Sequence, residues 1–355
     1  MKKIREDLHK IPELGFNEFK TKQYILDFIN DRGGEVFQFD KTGLVVYFNF
    51  NKEKTICLRA ELDALPIREE NNVEYASLEE NKMHACGHDG HMAILLSLIN
   101  DILEKRLEPT TNVLFLFQPS EERFGGSELV NKYDILNKYK VDEIYALHIW
   151  PGLSKGEIFT RKKELLSEPI EFDIEIRGKN SHVASYFEGK DALHVGVELL
   201  HDIKKETRLI DETIFHVGEV FSGGQRNIVS DNFSAKGTIR LFSKCVKNRV
   251  IEIINRWVNY YKEAFSININ LVINSSYFPL INNAELVEKS LKYGVKLLDY
   301  PYFHSDDFSL YLQQVRGVYF LLGAGNTYPL HSSKFNFDSE ILLKGKELFS
   351  KIISE

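Results

Sequence analysis

Three short apolar runs in this chain each empty directly into side chains that can hold a cation or a proton, and that recurrence narrows the possible folds more than any single motif. Thr55-Ile56-Cys57-Leu58-Arg59-Ala60 leads into Glu61-Leu62-Asp63, Val113-Leu114-Phe115-Leu116-Phe117 into Gln118-Pro119-Ser120-Glu121-Glu122, and Glu143-Ile144-Tyr145-Ala146-Leu147 into His148. Short continuous apolar runs are what strands buried on both faces look like. Open α/β sheets place their ligands at the carboxyl ends of parallel strands, so the Glu121-Glu122 pair stands where chemistry is expected. Taken singly, His148 reads as a hydrogen-bonded core histidine, Asp63 as a turn residue and the glutamate pair as a solvated turn. Their recurrence at equivalent places favours the functional reading.

A fourth segment supplies a different donor set. Met83-His84-Ala85-Cys86-Gly87-His88-Asp89-Gly90-His91 precedes an apolar run over residues 92–102 that reads as a helix. A loop running into a helix start can aim thiolate, imidazole and carboxylate at one point, a mixture that borderline cations such as zinc, manganese or cobalt accept. The competing reading is a polar helix cap.

The order of elements predicts one domain interrupted by another. Helices over residues 20–31 and 92–106 alternate with strands over 44–48, 55–60, 113–117 and 144–147, the pattern of an α/β domain with a mainly parallel sheet. From residue 169 the pattern becomes strand (170–176), helix (192–208), strands (215–220 and 233–242), helix (248–264) and strand (267–273). That βαββαβ order fits a compact α+β unit of ferredoxin-like type with one sheet face covered by helices. The chain then returns to the first domain through Val318-Tyr319-Phe320-Leu321-Leu322, Gly323-Ala324-Gly325 and His331. The expected division is therefore residues 1–168 with 277–355, and an insertion over 169–276.

Composition excludes several classes. The 355 residues are enough for two domains, and a hydrophobic content of 43% supports substantial cores. A net charge of −7 argues against a nucleic-acid partner, and the densest basic cluster, Arg161-Lys162-Lys163, is closed at once by Glu164. A charged N-terminus without an apolar leader, and the absence of any run of 18 or more apolar residues, predict a cytoplasmic protein with no membrane partner. Three cysteines make a disulfide framework unexpected; Cys57 and Cys245 read as packing residues.

These residues resemble peptidase family M20 in its amidohydrolase subfamily, the metal-dependent aminoacylase and carboxypeptidase group. The resemblance is carried, in family order, by Leu8-His9-Lys10-Ile11-Pro12-Glu13-Leu14-Gly15-Phe16, residues 58–67, 83–91 and 117–126, Ala146-Leu147-His148, Gly237-Thr238-Ile239-Arg240 and Leu330-His331. It implies a zinc-peptidase type catalytic domain with two divalent ions (manganese, zinc or cobalt) on Cys86, His88, Glu122, His148 and His331. It further implies Glu121 as general base and Asp63 as the carboxylate that orients a metal-binding imidazole. His182, within Gly178-Lys179-Asn180-Ser181-His182, would stabilise the oxyanion across a homodimer, and the insertion would serve as lid and dimerisation module. The implied substrate is an N-acyl amino acid whose carboxylate Arg240 and Asn227 would hold, with Gly323 allowing it close to the backbone. Within the subfamily, Glu13-Leu14-Gly15-Phe16-Asn17-Glu18-Phe19-Lys20-Thr21 is similar to deacetylases of N-acetyl-diaminopimelate.

Chemistry alone leaves alternatives open. A bound cation polarises an amide carbonyl and lowers the pKa of water, while Glu121 would take the proton and return it to the leaving amine. A dipeptidase or carboxypeptidase would use the same ions, and a non-catalytic binding protein the same scaffold. A cysteine hydrolase pairing Cys86 with His88 differs in being insensitive to chelators.

Overall fold

The computed structural model describes the chain except residues 31, 124 and 276 and the side chain of Ser275; residue 31, the predicted end of the first long helix, thus lies outside the described residues. The chain divides into two compact units, Met1–Leu165 with Ile281–Tyr300 and Asp306–Glu355, and Leu166–Leu280 with Pro301–Ser305. Residues 166–168, 277–280 and 301–305, which the sequence pattern assigns to the first domain, thus group with the second unit.

In the first unit the chain runs α1 (Lys2–His9), α2 (Phe19–Ile29), β1 (Glu35–Phe39), β2 (Gly43–Phe48), β3 (Thr55–Glu61), α3 (His88–Leu103), β4 (Asn112–Gln118), α4 (Gly126–Lys132), α5 (Ile135–Lys138), β5 (Glu143–Pro151) and β6 (Ile158–Thr160). β7 (Glu164–Leu166) lies where the chain passes into the second unit, which contains β8 (Glu168–Arg177), α6 (Ala192–Thr207), β9 (Ile214–Phe221), β10 (Asn232–Leu241), α7 (Lys244–Ala264) and β11 (Asn268–Ser275). β12 (Leu280–Ile281) lies at the return, followed by α8 (Ala284–Leu291), β13 (Lys296–Leu297), β14 (Arg316–Gly325) and α9 (Leu342–Ile353).

The eight strands of the first unit are ordered β1-β2-β4-β3-β5-β14-β6-β13. Four of its seven strand pairings are parallel, as expected of a mainly parallel sheet, but three are antiparallel, so the sheet as a whole is mixed. β4, β3, β5 and β14 run parallel at its centre, whereas β1, β2 and β4 pair antiparallel, as do β14 and β6. The physical reason is connection length. Only residues 40–42 join β1 to β2, and a hairpin can close over so few residues where a parallel crossover needs a dozen or more. β3 and β4 are buried along their whole length, which accounts for their unbroken apolar sequences. α3 begins at His88 rather than at the predicted residue 92, so His88, Asp89 and His91 occupy its first turn. All but three of its sixteen residues are buried, as a helix apolar on every face should be.

A buried ionic cluster ties α1 to α3. Asp89 accepts from Arg5 Nε at 3.2 Å and from His9 Nδ1 at 2.8 Å, while His9 Nε2 lies 3.2 Å from Glu69. Burial alone would push His9 down, but the Asp89 and Glu69 carboxylates outweigh it and raise its pKa to about 9. The imidazolium therefore contributes stability that is complete below pH about 6.5, its unfolded value, and is lost as pH rises through about 9. We expect denaturant titrations to show a decline of about 3 kcal/mol across that window, and His9→Gln to flatten it. An equal decline in the variant would remove His9 from the account.

The second unit has the predicted βαββαβ order, and its four strands, ordered β11-β8-β10-β9, are antiparallel throughout. β8 alternates cleanly, with Ile170, Phe172, Ile174 and Ile176 buried while Glu171, Asp173, Glu175 and Arg177 are exposed. Val195, Leu199 and Ile203 of α6 and Val250, Ile254 and Val258 of α7 join them in one core. Ser243 caps α7, its Oγ accepting from Val246 N, so this helix starts four residues before the predicted 248. Cys245 is exposed in its first turn, which corrects its reading as a packing residue, whereas Cys57 is buried and all three cysteines are free. Among the described residues no helix is long and apolar enough to cross a membrane.

Candidate metal centre

The donor atoms suggested by the sequence converge within the first unit. Those of Cys86, His88 and His148 lie within 4.8 Å of one another, as do those of Cys86, Glu122 and His331, and those of His88, Glu121 and Glu122. Shared members join the three groups into one cluster, drawn from the loop before α3, the first turn of α3, the loop after β4, the loop after β14 and the interior of β5, which runs on to Pro151 past its expected end at His148. His331, more than 180 residues from His148 in sequence, reaches the cluster because its backbone N–H donates to the Ala85 carbonyl at 2.9 Å.

Hydrogen bonds fix which atom each ring presents. The Nδ1–H of His88 donates to the Asp63 carbonyl at 2.8 Å, leaving a buried Nε2 with no hydrogen-bond partner. Glu122 Oε1 is likewise buried without a hydrogen bond, although His331 Nε2 approaches it to 3.2 Å. His148 donates from Nδ1 to the Ile149 carbonyl at 2.8 Å and turns Nε2 toward Cys86 Sγ at 3.3 Å. Metal-binding histidines are typically held in this way, by a carbonyl or carboxylate on the far nitrogen. The Asp63 carboxylate, expected to orient the imidazole, stands 3.4 Å from His88 Nδ1 and instead accepts the Glu122 N–H at 2.9 Å, so the main-chain carbonyl of this aspartate orients the ring and its side chain holds the glutamate backbone. These residues fit divalent cations: a sulfur, three imidazoles and carboxylates, with buried acceptors that lack protein partners.

Two neighbouring histidines are not part of that set. His91 donates from Nδ1 to Glu61 at 2.7 Å and accepts the Ile149 N–H on Nε2 at 3.0 Å, so neither nitrogen is free and the ring instead steadies β5. Both nitrogens of His84 are buried without hydrogen bonds, and burial lowers its pKa to about 3, leaving the ring neutral. The environment also argues against a cysteine nucleophile. Burial and the carboxylates of Glu122 and Glu121 hold the Cys86 thiol well above its usual value, the reverse of what thiolate activation requires.

Sequence reasoning missed the layer beneath. Arg59 is buried on β3, its Nη1 bonded to Glu61, its Nη2 donating to Asp307 at 2.7 Å and lying 3.2 Å from Asp306, and its Nε donating to Gln118 at 2.9 Å. Tyr319 donates to Asp306 at 2.5 Å, and Tyr311 to Gln118 at 2.7 Å. Carboxylate atoms of Asp306, Asp307 and Glu121 lie within 4.8 Å of one another. Burial, then the negative charge of Asp306, Glu122 and Asp307, holds Glu121 well above the usual carboxylate range. The available signals were Arg59 itself, a charge inside an apolar run, and the adjacent pair Asp306-Asp307 outside any apolar strand.

The remaining site residues belong to the second unit or have another role. His182 is exposed, its Nδ1 accepting the Ala184 N–H at 3.1 Å, and its segment pairs with that of Asn227, whose carbonyl accepts from Val183 N at 2.9 Å. Arg240 is half-buried rather than on a solvent face, and donates to Ser305 Oγ at 2.7 Å. Gly323, expected to admit substrate, is instead crowded by its own chain: a Cβ there would stand 2.0 Å from the Ser154 carbonyl oxygen. Its smallness serves the packing of the loop after β5.

Known proteins resemble the chain along nearly its full length. The family model described as peptidase family M20/M25/M40 matches residues 57–355. An N-acetyldiaminopimelate deacetylase of Streptococcus suis is 32% identical over 354 residues, covering 95% of this chain and 94% of the relative. One of Halalkalibacterium halodurans is 32% identical over 352 residues, with coverage of 96% and 94%. Among solved structures, the YXEP protein of Bacillus subtilis, described as a dinuclear metal binding peptidase from the M20 family, superposes with a TM-score of 0.88 at 25% identity, covering 99% of this chain and 96% of that one.

Proposed function

The chain belongs to peptidase family M20/M25/M40, and from that premise we propose that it removes the acyl group from an N-acyl amino acid at a centre of two divalent ions. It is a metal-dependent amidohydrolase acting on a small-molecule amide. The observation that carries the metal reading is the buried, unpartnered Nε2 of His88 among the donor atoms of Cys86, His148, Glu121 and Glu122. Cys86, His88, Glu122, His148 and His331 would hold the ions, for which manganese, zinc and cobalt all suit the donor set. When bound, such ions polarise the amide carbonyl and lower the pKa of water.

The chain's own residues then divide the work. Asp63 fixes the His88 tautomer and the Glu122 backbone. Glu121, starting as the carboxylate, takes a proton from the attacking water and returns it to the leaving nitrogen, and surroundings that raise its proton affinity favour that uptake. His182 is assigned to the oxyanion and Arg240 with Asn227 to the substrate carboxylate, with the second unit as a ferredoxin-like lid and homodimer interface. Among acyl amino acids, N-acetyl-diaminopimelate is the first candidate, because relatives of that name align over nearly the full chain. A cytoplasmic setting suits a free thiol ligand.

Stripping the protein with chelator should abolish cleavage of N-acyl amino acids, and added manganese, zinc or cobalt should restore it. A panel of N-acetyl, N-benzoyl and dipeptide substrates separates deacylase from dipeptidase. Cleavage that survives complete metal removal would defeat the proposal.

A further inference from the structure

The stretch from Glu13 to Thr21 supplies no metal donor, yet it runs as a bracket against two strand ends of the centre. The Ala64 N–H, next to Asp63, donates to the Glu13 carbonyl at 2.7 Å, and Leu14 pairs in parallel with Ala64. The Glu13 carboxylate turns back to accept from Thr21 N at 2.9 Å and Thr21 Oγ1 at 3.1 Å, which closes the loop on the start of α2. Glu18 is fully buried, and its Oε1 accepts the Ser120 N–H at 2.8 Å. Ser120, immediately before Glu121, is also fully buried and has a φ of +54°, in the left-handed region where a non-glycine residue needs outside support. A Cβ at Gly15 would stand 2.4 Å from Ser120 Oγ, so the bracket passes directly against this residue.

A buried N–H with no place in a strand ladder requires an acceptor, and Glu18 is the acceptor that the bracket delivers. On the other side of Glu121, Asp63 accepts the Glu122 N–H at 2.9 Å. The backbone flanking Glu121 is thus pinned from both sides by carboxylates of different segments. We propose that Glu18 is a positioning residue for Glu121, holding the strained Ser120 peptide so that the glutamate is presented in one orientation. The inference rests on the reading of Glu121 as proton acceptor. Burial, with the Asp63 carboxylate adding to it, raises Glu18 to about 7. An accepting oxygen remains in either protonation state, so reach rather than charge is what the role demands. The bracket consequently serves the chemical step for any acyl group and does not choose among substrates.

Three variants separate reach from charge. Glu18→Asp keeps the charge and withdraws the oxygen by one methylene, Glu18→Gln keeps an acceptor in place, and Glu18→Ala removes it. They are compared as metal-loaded protein on whichever N-acyl amino acid the wild type cleaves, together with metal content and hydrogen exchange of the peptide containing the Ser120 amide. Positioned acid-base groups contribute roughly 10²- to 10⁴-fold, and partial misplacement should cost about 10- to 100-fold of that. We therefore expect E18A and E18D to lose about 10- to 100-fold in kcat, with KM and metal content within threefold (about a factor set by assay scatter), and Ser120 to lose protection in both. E18Q should restore most of the turnover and the protection; should E18A fail to fold, E18D against E18Q makes the same comparison. Wild-type kcat in E18A and E18D, a loss confined to KM or metal content, or an E18Q as impaired as E18A would overturn the proposal. E121Q measured in parallel tests the underlying reading separately. If it retains full turnover, that reading fails, and exchange at Ser120 still decides whether Glu18 holds the turn.

Discussion

Glu121→Gln should lower kcat by about 10²- to 10⁴-fold, the range contributed by a positioned proton-transfer group, while leaving metal content and fold intact. The change is nearly isosteric, so what it removes is the ability to take and return a proton. Glu121 is half-buried in the loop after β4, in the cluster of donor atoms with His88 and Glu122 and within 4.8 Å of Asp306 and Asp307. Burial and three neighbouring carboxylates raise its proton affinity, which suits a carboxylate that must take a proton at attack and hold it until the amine departs. Metal analysis of the purified variant, with turnover on the best substrate of the panel, provides the check. A variant that carries full metal and keeps wild-type turnover would show that another group moves the proton. One that loses its metal would instead make Glu121 a ligand.

The second large effect is on stability. Arg59→Met should destabilise the protein by roughly 3–5 kcal/mol, the usual result of leaving a buried charge without its partner. Arg59 is fully buried and faces three carboxylates, Glu61, Asp306 and Asp307, none of them more than 4% exposed. Removing the guanidinium deprives that group of its cation, so part of the loss will be recovered by protonation of the carboxylates and the variant should suffer less at low pH. Adding Asp307→Asn should restore some of the stability by reducing the unpaired charge, a coupling that a double-mutant cycle in urea would measure. A loss below about 1 kcal/mol, the size of an ordinary surface ion pair, would mean that the guanidinium is not what holds these carboxylates in place. Because Glu61 also receives the His91 proton donor, the same variant tests how far this layer supports β5.

Much of the site could be read from sequence because its donors stand at strand ends. Cys86, His88, Glu122 and His148 follow apolar runs or begin a buried helix, and local pattern is sufficient to find such places. The role of His91 could not be read in that way. It stands three residues from His88 on the same helix, and only the bonds to Glu61 and to the Ile149 N–H show that both its nitrogens are taken. Gly323 illustrates the opposite error, since a glycine near the site suggests room for a ligand until the Ser154 carbonyl is found in that space.

The sequence by itself determined the two-part organisation, the central apolar strands and the chemical identity of most candidate donors. Those depend on hydrophobic runs and on residues adjacent along the chain, interactions that local order encodes directly. Only the tertiary structure decided that Arg59 lies beneath the centre with Asp306 and Asp307, that Glu18 reaches Ser120 and that β2 and β6 run antiparallel to the central strands. Each of these joins segments far apart in sequence through buried polar groups. Such groups are confined to the partners that packing brings within hydrogen-bonding distance, and no periodicity in the chain announces which partners those will be.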